Sequence, residues 1–138
     1  MTIQEKNKTL QRRFIDEYQT GGNEAVMYEI VSENFINHSG APGMPVDRSG
    51  VKIFHDMFRS AFPDLNVKVY DMIAEGDKVI TRKSLNGTHK GDFFGIPPTN
   101  KKVEMNVIDI VIYKDGKLCE HWNSVDQAGL MRQLGVIK

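Results

Sequence analysis

The residues best able to do chemistry gather in the last quarter of the chain. Glu120-His121-Trp122-Asn123-Ser124-Val125-Asp126 brings a histidine, the only tryptophan and an aspartate close together. Residues two apart on a strand share a face, so Trp122, Ser124 and Asp126 align. A carboxylate held against an indole, partly out of water, has its pKa raised toward the range where it works as a general acid or base. The same residues admit a plainer reading: Trp122 belongs to the core and Asp126 is the N-cap of the helix that starts at Gln127. A second carboxylate, Asp109, interrupts the run Val107-Ile108-Asp109-Ile110-Val111-Ile112. Inside such a run it must find donors or give up its charge. It is either satisfied by a lysine, an arginine or a backbone donor, or it is a second acid in a site. The histidines fall at 38, 55, 89 and 121. No two have helical ligand spacing and none has a cysteine partner, so the pattern gives no metal site. His38 and His89 either line a pocket or hold loops; His55 reads as a packing residue.

These groups are positioned by a hairpin. Lys114-Asp115-Gly116-Lys117 is the clearest turn signal in the chain, because Asp-Gly suits a two-residue type I′ turn. That turn pairs Tyr113 with Leu118, Val111 with Glu120 and Asp109 with Trp122. One face then carries Asp109, Glu120, Trp122, Ser124 and Asp126, a polar and aromatic surface suited to a pocket. The other carries Ile108, Ile110, Ile112, Cys119 and His121, suited to a core or a subunit contact. A β-bulge would exchange the two faces beyond it.

The remaining elements follow from periodicity. Leu10, Phe14 and Tyr18 recur every four residues in a helix over 3–20, ended by Gly21-Gly22. Asn23 caps a second helix running to about Ser32. Asn34 to Ser39 is extended, and residues 40–50 form a Gly- and Pro-rich loop. Val51, Phe54, Met57 and Phe58 make the apolar stripe of a third helix from Ser49 to Ala61, stopped by Pro63. From Leu65 the period becomes two. Strands are expected from Leu65, from Val79 to His89 and from Val103 to Tyr113, with a loop at 91–100 that carries Phe93 and Phe94. Helices followed by antiparallel strands define an α+β domain, one unit over residues 1–138, with helices on one face of a curved sheet.

Composition narrows the partners. Eighteen basic residues balance eighteen acidic ones, and no basic stripe is interleaved with aromatics, so nucleic acid is not expected. Near-zero net charge offers little resistance to self-association. Cys119 is the only cysteine, which excludes an internal disulfide. The polar N-terminus lacks an apolar signal core, and no stretch reaches membrane-spanning length, so a cytoplasmic protein without a membrane partner is expected.

The order and spacing of Phe62-Pro63-Asp64-Leu65, Glu75-Gly76-Asp77, Gly87-Thr88-His89-Lys90-Gly91, Gly95-Ile96-Pro97-Pro98-Thr99, Asp115-Gly116-Lys117 and Glu120-His121-Trp122 with Asp126 resemble the SnoaL-like polyketide cyclases, a family of the nuclear transport factor 2-like superfamily. The resemblance implies a cone-shaped barrel of about three helices on a curved antiparallel sheet with a short C-terminal helix, assembled as a homodimer or larger oligomer. It implies an intramolecular aldol condensation of a polyketide-like substrate, without metal, Schiff base or other cofactor. Asp126 matches the catalytic acid/base of the family; Asn37, His38 and His89 match pocket residues. Phe54, Phe58, Phe94, Trp122 and Asp109 complete the expected substrate contacts. Asn100 stands where the family often has glycine, and Ile112 where many members carry arginine.

Two other functions fit the same frame. A hydrolase or dehydratase would want an arginine between two carboxylates, and Arg82 is followed by no Arg-x-Asp pattern. A non-catalytic module would merely hold an apolar molecule. An Asp126 buried beside Trp122 in a cavity favours the enzyme; an Asp126 that only caps a surface helix does not.

Overall fold

The computed structural model describes Met1–Lys138. The first helix, α1 (Ile3–Arg13), starts with a capping box in which Thr2 and Glu5 exchange hydrogen bonds of 3.1 and 3.2 Å. It does not run on as regular α-helix. Phe14–Thr20 is π-helical, with Phe14, Ile15 and Tyr18 buried. A π turn inserts one residue and changes the direction of those that follow, so such turns often mark a site. α2 (Glu24–Ile30) is capped by Asn23 and ends earlier than its pattern predicts, because Val31 already opens β1 (Val31–Asn37).

α3 (Arg48–Ala61) is capped by the Asp47 side chain, which accepts from the Ser49 N–H at 3.0 Å. Its glycine is needed for packing: a Cβ on Gly50 would lie 2.0 Å from the Pro45 carbonyl oxygen. Gly50→Ala is therefore expected to push the 40–47 loop off α3. A loss of about 1–3 kcal/mol, typical of overpacking, would appear in thermal denaturation.

The strands are β2 (Asn66–Glu75), β3 (Lys78–Thr88), β4 (Lys102–Lys114) and β5 (Lys117–Val125), followed by α4 (Gln127–Leu134). They form one five-stranded sheet in the order β1-β5-β4-β3-β2. The α+β class and the short final helix stand as expected. The sheet, however, is mixed: β1 runs parallel to β5, although the other pairs are antiparallel. β1 and β2 are its two edges and do not pair with each other, so backbone hydrogen bonds close no barrel.

The β4–β5 hairpin turns where the sequence places it. Asp115 and Gly116 have φ of 51° and 75°, as a type I′ turn requires. Tyr113 pairs with Leu118, but Ile112 then pairs with Glu120 and Val111 with His121. Cys119 is an extra residue, a bulge, and it moves the register by one. Every residue beyond it changes face relative to the direct count. His121, Asn123 and Val125 thus join Asp109 on the inner face. Trp122 and Ser124 lie outside with Ile108 and Ile110.

Two clusters form the core. One gathers Phe14, Tyr18, Met27, Ile30, Val79 and Val111; the other Phe58, Phe62, Leu65, Met105, Val107 and Leu130. No helix is long and apolar enough to cross a membrane.

Candidate active site

Between the two clusters lies a cavity of about 170 Å³. Its wall draws on both, with Phe14, Tyr18 and Phe35 from the first and Phe58, Leu65 and Met105 from the second. Phe54 of α3 and Ala41, Met44 and Pro45 of the loop add to it.

Across the inner face of four neighbouring strands runs one continuous polar row. Asn37 on β1 takes the Ser39 N–H on its Oδ1 at 3.0 Å, which sets the orientation of its amide. The same oxygen is 3.0 Å from His121 Nδ1 on β5. His121 Nε2 is 2.9 Å from Asp109 Oδ1 on β4. Asp109 Oδ2 pairs with the Lys83 ammonium on β3. Lys83 then donates to Gln19 Oε1 at 3.2 Å, in the π-helical turn. Both ring nitrogens of His121 thus face oxygens that accept. The ring satisfies both when it carries two protons.

Asp109 and Lys83 are both buried. Burial pushes the Asp109 carboxyl up, but the Lys83 ammonium and the His121 ring outweigh it and hold the group at about 2. A carboxyl depressed on folding stabilises the fold above its ordinary pKa and loses that contribution as pH falls through the folded value. Acid titration of stability should therefore show a loss of roughly 2 kcal/mol between about pH 4 and pH 2 from this group. Asp109→Asn should remove that segment of the curve in urea unfolding.

Two more groups face the cavity. Burial lowers the His55 pKa, and its Nε2 donates to the Gln19 carbonyl oxygen at 3.0 Å. It packs on Tyr18 with ring centroids 4.2 Å apart. Tyr18 is 1% exposed and its hydroxyl has no protein partner. Burial raises that hydroxyl well above the ordinary range, so it remains a donor.

Of the residues singled out by sequence, Asn37, Asp109, Phe54 and Phe58 line the cavity. The others do not. Asp126 is exposed and caps α4, accepting the Gly129 N–H at 2.8 Å. Trp122 lies on the outer face, where His38 stacks on it at 4.5 Å and bonds Glu120 at 3.0 Å. The Cys119 bulge put the indole there, and it also separates Trp122 from Asp109. His89 is fully buried, but in a loop anchor. Its Nδ1 accepts the Thr99 N–H at 3.2 Å, and its backbone bonds Lys101 and Asn100. Phe94 is exposed in the 91–100 loop with φ of 46°, while its neighbour Phe93 is core. Arg82 points outward and pairs with Asp71 at 2.6 Å.

Sequence reasoning passed over Lys83, Gln19 and Asn123, and it placed His121 on the opposite face. One signal was available for Lys83. Val79, Thr81, Lys83 and Leu85 alternate with Ile80, Arg82 and Ser84, which puts a lysine on the same face as Val79. A lone charge on such a face calls for a buried partner, and Asp109 on the next strand is the one it has.

An α+β domain with a charged row in the wall of an apolar cavity has the form of a site for a small molecule. The description "SnoaL-like polyketide cyclase" matches residues 9–134, and the chain belongs to that family. It is 27% identical over 130 residues to the aklanonic acid methyl ester cyclase DnrD of Streptomyces peucetius, covering 91% of this chain and 88% of that one. Among solved structures, a candidate polyketide cyclase from Bacillus cereus superposes with a TM-score of 0.83 at 32% identity, over 96% of this chain and 83% of that one. TsrD from Streptomyces laurentii superposes at 0.88 with 25% identity, over 99% and 100%.

Proposed function

We propose that the protein closes a ring by an aldol-type reaction of an oxygenated carbon acid, with His121 moving the proton. The row Asn37–His121–Asp109–Lys83 in the cavity wall carries this reading. The family's description and the cyclase named among the relatives support the reaction class.

In the acting form the ring proton sits on Nε2 and is donated to Asp109, which fixes the tautomer. A substrate carbon flanked by two carbonyl groups displaces Asn37 Oδ1 from its place 3.0 Å from Nδ1, and Nδ1 takes the proton from that carbon. The carbanion attacks the ketone carbon and forms the new C–C bond. The carbonyl electron pair moves onto oxygen, and the proton on Nδ1 passes to that alkoxide. Asn37 Oδ1 accepts from the charged ring in between. The Lys83 ammonium and the Asn123 amide face the same space and stabilise the developing enolate. A 1,3-dicarbonyl compound is acidic enough to react without a cofactor.

Asp126 leaves this scheme, because its carboxylate caps α4 at the surface. The test is proton exchange at the central carbon of a β-keto ester, followed by NMR in deuterated water. Acceleration by the protein that is lost in His121→Gln supports the reading. Binding of the ester with no acceleration would make the chain a non-catalytic binding module.

The outer sheet face supports a homodimer. Ile73, Ile80, Ile108 and Ile110 are exposed there on three adjacent strands. Light scattering should give twice the 15.7 kDa chain mass, and Ile108→Lys should shift it to the monomer. A monomer mass for the unaltered protein at working concentration would remove this assembly.

A further inference from the structure

The polar valences left open in the cavity are unequal. Asp109 has both carboxylate oxygens engaged, one by His121 and one by Lys83. Asn37 Oδ1 receives both Ser39 N–H and His121 Nδ1. The Gln19 oxygens are taken by Lys83 and His55. Donors, by contrast, remain. Lys83 has three ammonium protons, of which Asp109 and Gln19 take two. The buried Tyr18 hydroxyl, which also faces the cavity, has no partner. A ligand that satisfies this wall must bring oxygen acceptors.

Size adds a second limit. A cavity of about 170 Å³ is close to the ~150 Å³ that holds one benzene ring. The wall offers Phe14, Phe54 and Phe58 to such a ring. A body of several fused rings exceeds the enclosed part of that space and would extend through its open mouth.

We propose that the cavity selects a compact oxo acid, one ring in size, whose carboxylate or enolate oxygens bind the free N–H of Lys83. This rests on the carbon-acid reading above and names the substrate class for the same site. With both His121 ring nitrogens donating, the row Lys83, Asp109 and His121 carries one positive charge in excess, and it favours an anion over the matching ester. Lys83 sits in the middle of the sheet beside the proton-handling pair, so an acid held there has its α-carbon near His121. The selection is for charge and size together, and each is tested separately.

The probes are benzoylacetate, its methyl ester, and anthraquinone-2-carboxylate as the three-ring acid. Calorimetry would compare their binding to the unaltered chain and to the Lys83→Met/Asp109→Asn double variant, which removes both charges and leaves neither unpaired. Benzoylacetate should bind about tenfold more tightly than its ester, as expected of a charge-assisted hydrogen bond. That preference should vanish in the double variant, and the three-ring acid should not bind where benzoylacetate saturates. Equal binding of acid and ester, or a preference that survives the double variant, overturns the charge selection. Tight binding of the three-ring acid overturns the size limit. Exchange at the central methylene of both one-ring probes is read in the same samples. Acceleration without acid preference keeps the carbon-acid reading and removes this proposal; acid preference without acceleration does the reverse.

Discussion

Lys83→Met is expected to lower the free energy of unfolding by about 3–5 kcal/mol, the usual cost of breaking a buried ion pair from one side. The lysine side chain is 4% exposed and faces a carboxylate that is just as inaccessible. Methionine fills nearly the same volume, so little of the loss comes from packing. The loss comes from Asp109, which keeps its charge but retains only the His121 ring as a partner. Against the ~5–15 kcal/mol that stabilises a typical domain, this is a large share. The Lys83→Met/Asp109→Asn double variant should recover most of it, because an amide still accepts from His121 and no charge is stranded. Urea unfolding of the three variants measures the coupling directly. If the single lysine variant proves as stable as the double, the ion pair does not govern the cavity wall.

The second large effect falls on turnover. His121→Gln should slow exchange at the substrate carbon by about 100-fold or more, within the range of a lost general acid–base group. Glutamine can still hydrogen-bond Asn37 and Asp109, so the row keeps its shape while losing its titratable member. Asp126→Asn should leave exchange unchanged. Asparagine is also a good N-cap, so its cost in stability should stay within a few tenths of a kcal/mol. The pair of variants discriminates cleanly. A chain that loses exchange in Asp126→Asn and keeps it in His121→Gln would move the chemistry to the surface end of α4.

The α+β class, the strands β2, β3 and β4 to within a residue at the ends the sequence set, and the Asp115-Gly116 turn could be read from the sequence, because period and turn chemistry are local. The family could be read from motifs spread along the chain. Asp109 was recognisable as a charge in need of partners. The identity of those partners was not, because Lys83 and His121 lie on two other strands and the pairing depends on register. His121 was assigned to the wrong face for one reason, the single unpaired residue at Cys119. A bulge has no composition signal of its own here. Cys119 is an ordinary strand residue, and nothing in Leu118-Cys119-Glu120 differs from regular alternation. Asp126 shows a different ambiguity. An aspartate before a short amphipathic helix satisfies the pattern of a cap and of a catalytic acid equally, and only its exposure separates them. β1 was legible as extended but not as parallel, since its partner β5 is distant in sequence.

The π-helical turn at Phe14–Thr20 and the bulge at Cys119 have the same nature: each is one residue more than a regular element would hold. Gln19 and His121, the two residues they redirect, stand at opposite ends of the Lys83–Asp109 pair. The working surface of this domain is thus a matter of chain length as much as of residue identity. Substitution along the hairpin would alter the groups presented to the cavity one at a time. Loss of a single residue between Leu118 and His121 would remove the bulge and leave His121 opposite Val111, whereas closing the bulge with every residue kept would turn the whole distal strand over, burying Trp122 and exposing His121. A change of length at these two points therefore alters the chemistry presented to the cavity only where the bulge does not absorb it. Any column-by-column transfer of roles between relatives depends on where the gap is drawn.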